Sequence, residues 1–151
     1  MTLDTYVPGA FTYRKVSDNY FITSDVCSIL TAHKGGKSYI INPTLKVGFR
    51  SDGASVPYLL TWFLPRWDKK NPAYNMAAMI HDALYANRGY GYFTREECDD
   101  LYRGMLRNCG ISRLKAGLVD KSIELFAGSK RHWGNIEYNA GLSFIKVTER
   151  N

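Results

Sequence analysis

The chain has few cysteines and no pattern among them. Cys27, Cys98 and Cys109 are an odd set without a C-x-x-C pair. That excludes a disulfide framework and a cysteine-based zinc site. Cys98 and Cys109 fall at opposite ends of one expected helix, so they cannot bond each other without distortion. All three read as free thiols of a reducing cytoplasm. Long apolar runs are missing too. The longest, around Val56 to Leu64, is too short to span a bilayer, and no signal-peptide pattern opens the chain. Basic runs are equally short. The densest are Lys69-Lys70, Arg113 to Lys115 and Lys130-Arg131-His132, which solvated faces explain. With no basic-aromatic groove signature, nucleic acid is an unlikely partner. There is no internal repeat, low-complexity segment or domain linker.

What is present suits one folded domain over residues 1–151. Apolar residues make up 45% of the chain, which excludes a disordered protein. The length can bury an adequate core without staples. The net charge of +6 permits contact with an anionic lipid surface. Tyrosine is frequent, at 11 residues. Tyrosine suits interfaces and binding surfaces, and it suits strands equally well.

Residues 1–50 are rich in β-formers. Asp18 to Thr23 and Val26 to Ala32 read as strands. His33 to Lys37 reads as a hairpin turn, with Ser38 to Ile41 pairing back. Asn42-Pro43 reads as another turn, and Leu45 to Phe49 alternates as a half-buried strand should. Residues 51–70 form an irregular aromatic connection. Ser55 can cap a short turn started at Pro57. Tyr58, Leu59, Leu60, Trp62, Phe63, Leu64 and Trp67 then suit either a flap over the helices or packing against the sheet. Residues 71–129 are helical. Asn71 before Pro72 starts a helix that runs to about Asn87. Thr94 with Glu97 is a capping box for a second helix, ended by Gly110. A third, from Ser112 to about Gly128, carries Leu114, Leu118, Val119, Ser122, Leu125 and Phe126 at helical spacing. The tail, 130–151, holds an expected edge strand from Leu142 to Thr148. The fold class is α+β: a small N-terminal antiparallel sheet, then an antiparallel helical hairpin and a third helix.

The candidate site lies in that hairpin. Reflecting the chain about the loop near Tyr90 and Gly91 sets His81 opposite Asp99 or Asp100. Asp82 is its neighbour, and Tyr85 sits one turn on, on the same face. A His oriented by one carboxylate, beside another free to hold a metal, can activate water. The plainer alternative is a satisfied core His with Asp82 as a surface charge or cap.

The ordered stretches SDGASVP, AAMIHDALYA and TREECDDLY, followed by a late Gly and Trp, resemble a bacteriophage family catalogued as a domain of unknown function, family label 1353. The resemblance covers roughly Val47 to Trp133. It implies a phage or prophage origin and no settled activity. The protein would then be made in the host bacterial cytoplasm, with other virion proteins as partners if it enters the particle.

A looser resemblance is to the secretory phospholipase core, above all its disulfide-free version in parvovirus capsids. The matching residues are Ala77, Ala78, His81, Asp82, Tyr85 and Ala86. By that resemblance His81 would be the general base for a water and Asp82 would bind calcium. Asp99 would orient His81, and Tyr85 would support Asp99. No Tyr-Gly-x-Gly calcium loop precedes His81. Asp52-Gly53 is the only candidate for one. If Asp52 reaches the pair, Asp52, His81, Asp82 and Asp99 could instead hold zinc or another transition metal. Two functions follow: a metal-dependent ester hydrolase acting on lipid, or a non-catalytic virion component such as a tail, connector or adsorption protein.

Overall fold

The computed structural model describes residues 1–54, 56, 61, 64–125, 133–135 and 138–151, the side chains of 123–125 aside. The strands are β1 (Thr2–Val7), β2 (Tyr13–Val16), β3 (Asn19–Ile22), β4 (Val26–Cys27), β5 (Ile29–Lys34), β6 (Lys37–Leu45), β7 (Arg50–Ser51) and β8 (Ser143–Arg150). The helices are α1 (Pro72–Ala86), α2 (Arg95–Asn108) and α3 (Arg113–Leu125). The architecture is α+β, with antiparallel strands first and three helices after them.

The strands make two sheets. In the larger, β1, β5 and β6 pair in that order, β4 continues beside β6, and β8 pairs with β6 along its whole length. β5 and β6 are joined at Gly35-Gly36, both at positive φ (57° and 77°). That geometry suits the twist of a two-residue hairpin. Leu30, Ala32, Ile41 and Leu45 face the core and are almost wholly buried. The smaller sheet is β2-β3-β7.

Several strand expectations need correction. Asn42-Pro43 is not a turn but lies inside β6, whose nine residues continue to Leu45. Pro43 is tolerated because the neighbouring strand breaks opposite it. Ser28 separates β4 from β5 there, and its N–H bonds Pro43 O at 3.0 Å. The alternation from Leu45 to Phe49 does not make a strand. Phe49 N–H closes a turn on Lys46 O at 3.0 Å, Phe49 is buried and Val47 is 55% exposed. β1 and β2 carry no strand expectation in the sequence reading.

The helix starts follow from local chemistry. Asn71 Oδ1 accepts from Tyr74 N–H at 3.2 Å, ahead of Pro72 in the first turn. Thr94 and Glu97 form the reciprocal capping box. Between α1 and α2 lies one short 3-10 turn, Arg88–Gly91. A link this short holds the two helices antiparallel. α1 is buried along most of its length, from Tyr74 to Tyr85. β8 lies at the edge, from Ser143 to Arg150.

Part of the aromatic connection packs against the small sheet. The Trp67 ring stacks on Tyr20 of β3 at 3.8 Å and 3°. Ser55, Pro57 to Leu60, Trp62, Phe63, Phe126 to His132 and the expected end of α3 near Gly128 lie outside the described residues. No helix is long and apolar enough, among those described, to cross a membrane.

Candidate functional site

The antiparallel hairpin brings α1 and α2 together at His81. Its Nε2 lies 2.9 Å from Asp99 Oδ1. Tyr85, one turn along α1, donates its hydroxyl to the same oxygen at 2.7 Å. The Asp99 carboxylate therefore gathers two donors from one face of α1. When Asp99 accepts the Nε2 proton, the basic lone pair of a neutral imidazole falls on Nδ1. Nδ1 makes no hydrogen bond among the described residues.

Aromatic rings fix the imidazole. Tyr102, three residues after Asp99 on α2, stacks on it at 4.4 Å and 19°. Tyr85 leans on it at 4.3 Å and 43°. Trp133 meets the Tyr85 ring edge-on at 5.3 Å, and the Gly134 N–H bonds Tyr85 O at 2.8 Å. His81 is only 3% exposed. Burial, and then the bond to Asp99, hold the Tyr85 proton on well past the usual phenol range. Tyr85 is thus a donor to Asp99 at any working pH.

Asp82 points elsewhere. Its Oδ2 accepts from the Ser51 hydroxyl at 2.9 Å. The Ser51 oxygen in turn accepts from Gly53 N–H at 3.0 Å. Ser51 thus closes the turn and docks β7 on the second half of α1. Gly53 is required here. Its φ is +92°, and a Cβ would fall 2.3 Å from Arg66 O. Burial pushes the Asp82 carboxyl up to about 8, the negative charge of Asp52 adds to this, and the Ser51 bond opposes it. Asp52 itself is exposed. Two carboxylates therefore share one region at the β7–α1 junction.

Asp100 does not join His81. Its Oδ2 meets the Met1 amine at 3.1 Å and its Oδ1 meets Arg103 at 3.2 Å. One α-helical step turns its side chain about 100° away from that of Asp99.

Among the described residues, no three His, Cys, Asp or Glu side chains form a metal-binding group. The four-residue zinc set of Asp52, His81, Asp82 and Asp99 is therefore not assembled. Asp99 is turned to His81 and Tyr85, while Asp82 is turned to Ser51 of β7. The two residues that could supply oxygen donors to a hard cation are Asp82 and Asp52, with backbone carbonyls and water needed to complete any shell.

Sequence reasoning missed Ser51 and Tyr102. Ser51 stands two residues before Gly53, a position for a hydroxyl-closed turn. Tyr102 follows Asp99 at helical i+3 spacing, which places it on the same face.

No curated protein and no solved structure matches the chain. A family model described as a protein of unknown function, DUF1353, matches residues 31–119. That span begins earlier than the stretch carrying the sequence resemblance and leaves out the late Gly and Trp. It takes in β6, β7, α1 and α2, and with them every residue of the site except Trp133 and Gly134; the chain belongs to the DUF1353 family.

Proposed function

We propose that the protein is an ester hydrolase in which His81 is the general base. The observation that carries this is the convergence of His81 Nε2 and Tyr85 Oη on one oxygen of Asp99. Asp99 holds the imidazole in the tautomer whose free lone pair is on Nδ1, and Tyr85 holds Asp99. In the reaction, His81 Nδ1 takes a proton from water as the water oxygen bonds the ester carbonyl carbon. The imidazolium, stabilised by Asp99, then returns that proton to the departing alkoxide as the carbon–oxygen bond breaks. Asp82 and Asp52 would hold a divalent cation, calcium before zinc. Such an ion, when bound, would supply stabilisation of developing negative charge. The phospholipase-like pairing of His81-Asp82 with Asp99 and Tyr85 supports a lipid ester as substrate. The basic balance of the chain supports an anionic surface on which to meet it. A phage origin and a role in membrane passage or lysis fit this reading.

One observation favours a second reading, in which the protein is a non-catalytic virion component. His81 is 3% exposed and lies against two tyrosine rings. A buried His–Asp–Tyr cluster pins two helices without any chemistry. Turnover of a water-soluble short-chain ester by wild type and by Asp99→Asn separates the readings. The hydrolase predicts measurable wild-type turnover and a loss of about a hundredfold or more in the variant. No turnover by wild type, with calcium or zinc present, leaves the structural reading.

A further inference from the structure

One buried polar group near His81 is unused by this chemistry. The Tyr102 hydroxyl is buried and finds no hydrogen-bond partner. The residue as a whole is 2% exposed. A buried donor without an acceptor is unfavourable, so native proteins almost always satisfy it through protein or ordered water. The Tyr102 ring already has its place, stacked on His81. Its hydroxyl is the loose end.

The surroundings indicate what satisfies it. Burial first, and then the nearby Tyr74, Asp82, Cys109 and Tyr6, keep the Tyr102 proton on. The hydroxyl is therefore a standing donor. Its neighbours have already spent their own protons. Tyr74 donates to Pro65 O at 2.6 Å, Tyr6 to Ala73 O at 2.9 Å and Cys109 to Leu106 O at 3.3 Å. Their oxygens and sulfur keep acceptor capacity, yet none lies within direct reach of Tyr102. A bridging molecule must accept one bond and donate others. Water does this, and buried waters usually make two to four such bonds.

We propose that the Tyr102 hydroxyl holds an internal water, which bridges it to the hydroxyl oxygens of Tyr74 and Tyr6 behind the His81 ring. Tyr102 then ties the imidazole to a fixed network, with His81 on its ring face and the water on its hydroxyl. The water goes beyond the hydrolase reading and does not depend on it, since a structural His81 would need the same ring held.

High-resolution crystal structures of wild type and Tyr102→Phe, with thermal melts of both, test this. An ordered water within hydrogen-bond distance of Tyr102 Oη and of a Tyr74 or Tyr6 oxygen is expected. Tyr102→Phe should lose that water and melt several degrees lower, with His81 still stacked. Wild-type crystals with no water at Tyr102 Oη overturn the proposal. So does a Tyr102→Phe protein that melts as high as wild type, because removing an unpaired hydroxyl costs nothing. If Tyr102→Phe does not fold, Tyr74→Phe reads the same bridge from its other end, and an unchanged water there counts against the proposal. Ester turnover of the wild type is a separate readout. An inactive wild type that contains the water removes the hydrolase and leaves the water in place.

Discussion

Replacing Asp82 with Asn should stabilise the protein at alkaline pH and hardly affect it at pH 4. The Asp82 carboxyl is raised from 3.8 to about 8, first by burial and then by Asp52. In the unfolded chain it ionises near its ordinary value. Between about pH 4 and pH 8 the folded state therefore holds a proton that the unfolded state has lost. Stability falls with rising pH wherever the unfolded state binds fewer protons, so this group costs stability across that window and levels off above it. At about 1.36 kcal/mol per pH unit the full cost is at most about 6 kcal/mol. Asp82 is only partly buried as a residue, and solvent screening brings the expectation to about 2–3 kcal/mol. Asn cannot ionise, and its Oδ1 still accepts from Ser51. The assay is urea unfolding of both proteins from pH 4 to pH 9 with chelator present, taking the difference so that other titrating groups cancel. The stability advantage of Asn should grow from near zero to that figure. A difference that stays flat across the range refutes the reasoning about Asp82.

Adding calcium at pH 8 should raise the melting temperature of wild type and leave Asp82→Asn unmoved, because ligand binding to the folded state alone is stabilising. Asp52→Asn should bind less metal by elemental analysis, and equal loading of variant and wild type would remove Asp52 from the ligand set. Tyr85→Phe should cost about 1 kcal/mol in denaturant unfolding, since Asp99 loses one of its two donors from α1. No change there would mean that the bond adds nothing to holding Asp99. Gly53→Ala should destabilise by about 2 kcal/mol or more, measured the same way, because Ala resists a φ of +92° and its Cβ meets Arg66 O.

The helical half was legible because its signals are local. Asn71-Pro72 and Thr94 with Glu97 announce two helix starts, and the short link between them fixes which faces meet. That geometry alone places His81 within reach of α2. Spacing alone left Asp99 and Asp100 open, the resemblance pointed to Asp99, and the helical phase turns Asp99 to His81. The β half was less legible because strand pairing is a long-range property. β3 pairs with β7 some thirty residues on, Phe21 against Arg50, and no local residue pattern encodes that. Pro43 misled for the same reason, since it is the break at Ser28 in another strand that accommodates it. Ser51 was not legible as the partner of Asp82, because the two lie 31 positions apart. Tyr102 reads as core from its helical spacing. Only its stacking on His81 and its unpaired hydroxyl mark it as more.

The central claim is that His81 is a base held by Asp99, and one comparison tests it most directly. Wild type and His81→Ala are incubated with mixed anionic vesicles and calcium, released fatty acid is measured, and both proteins are melted in parallel. Wild type should release fatty acid, and His81→Ala should lose at least about a hundredfold in rate while remaining folded at the assay temperature. No release by wild type under calcium or zinc, with a His81→Ala protein that melts several degrees early, would contradict the hydrolase and leave His81, Asp99 and Tyr85 as a structural knot.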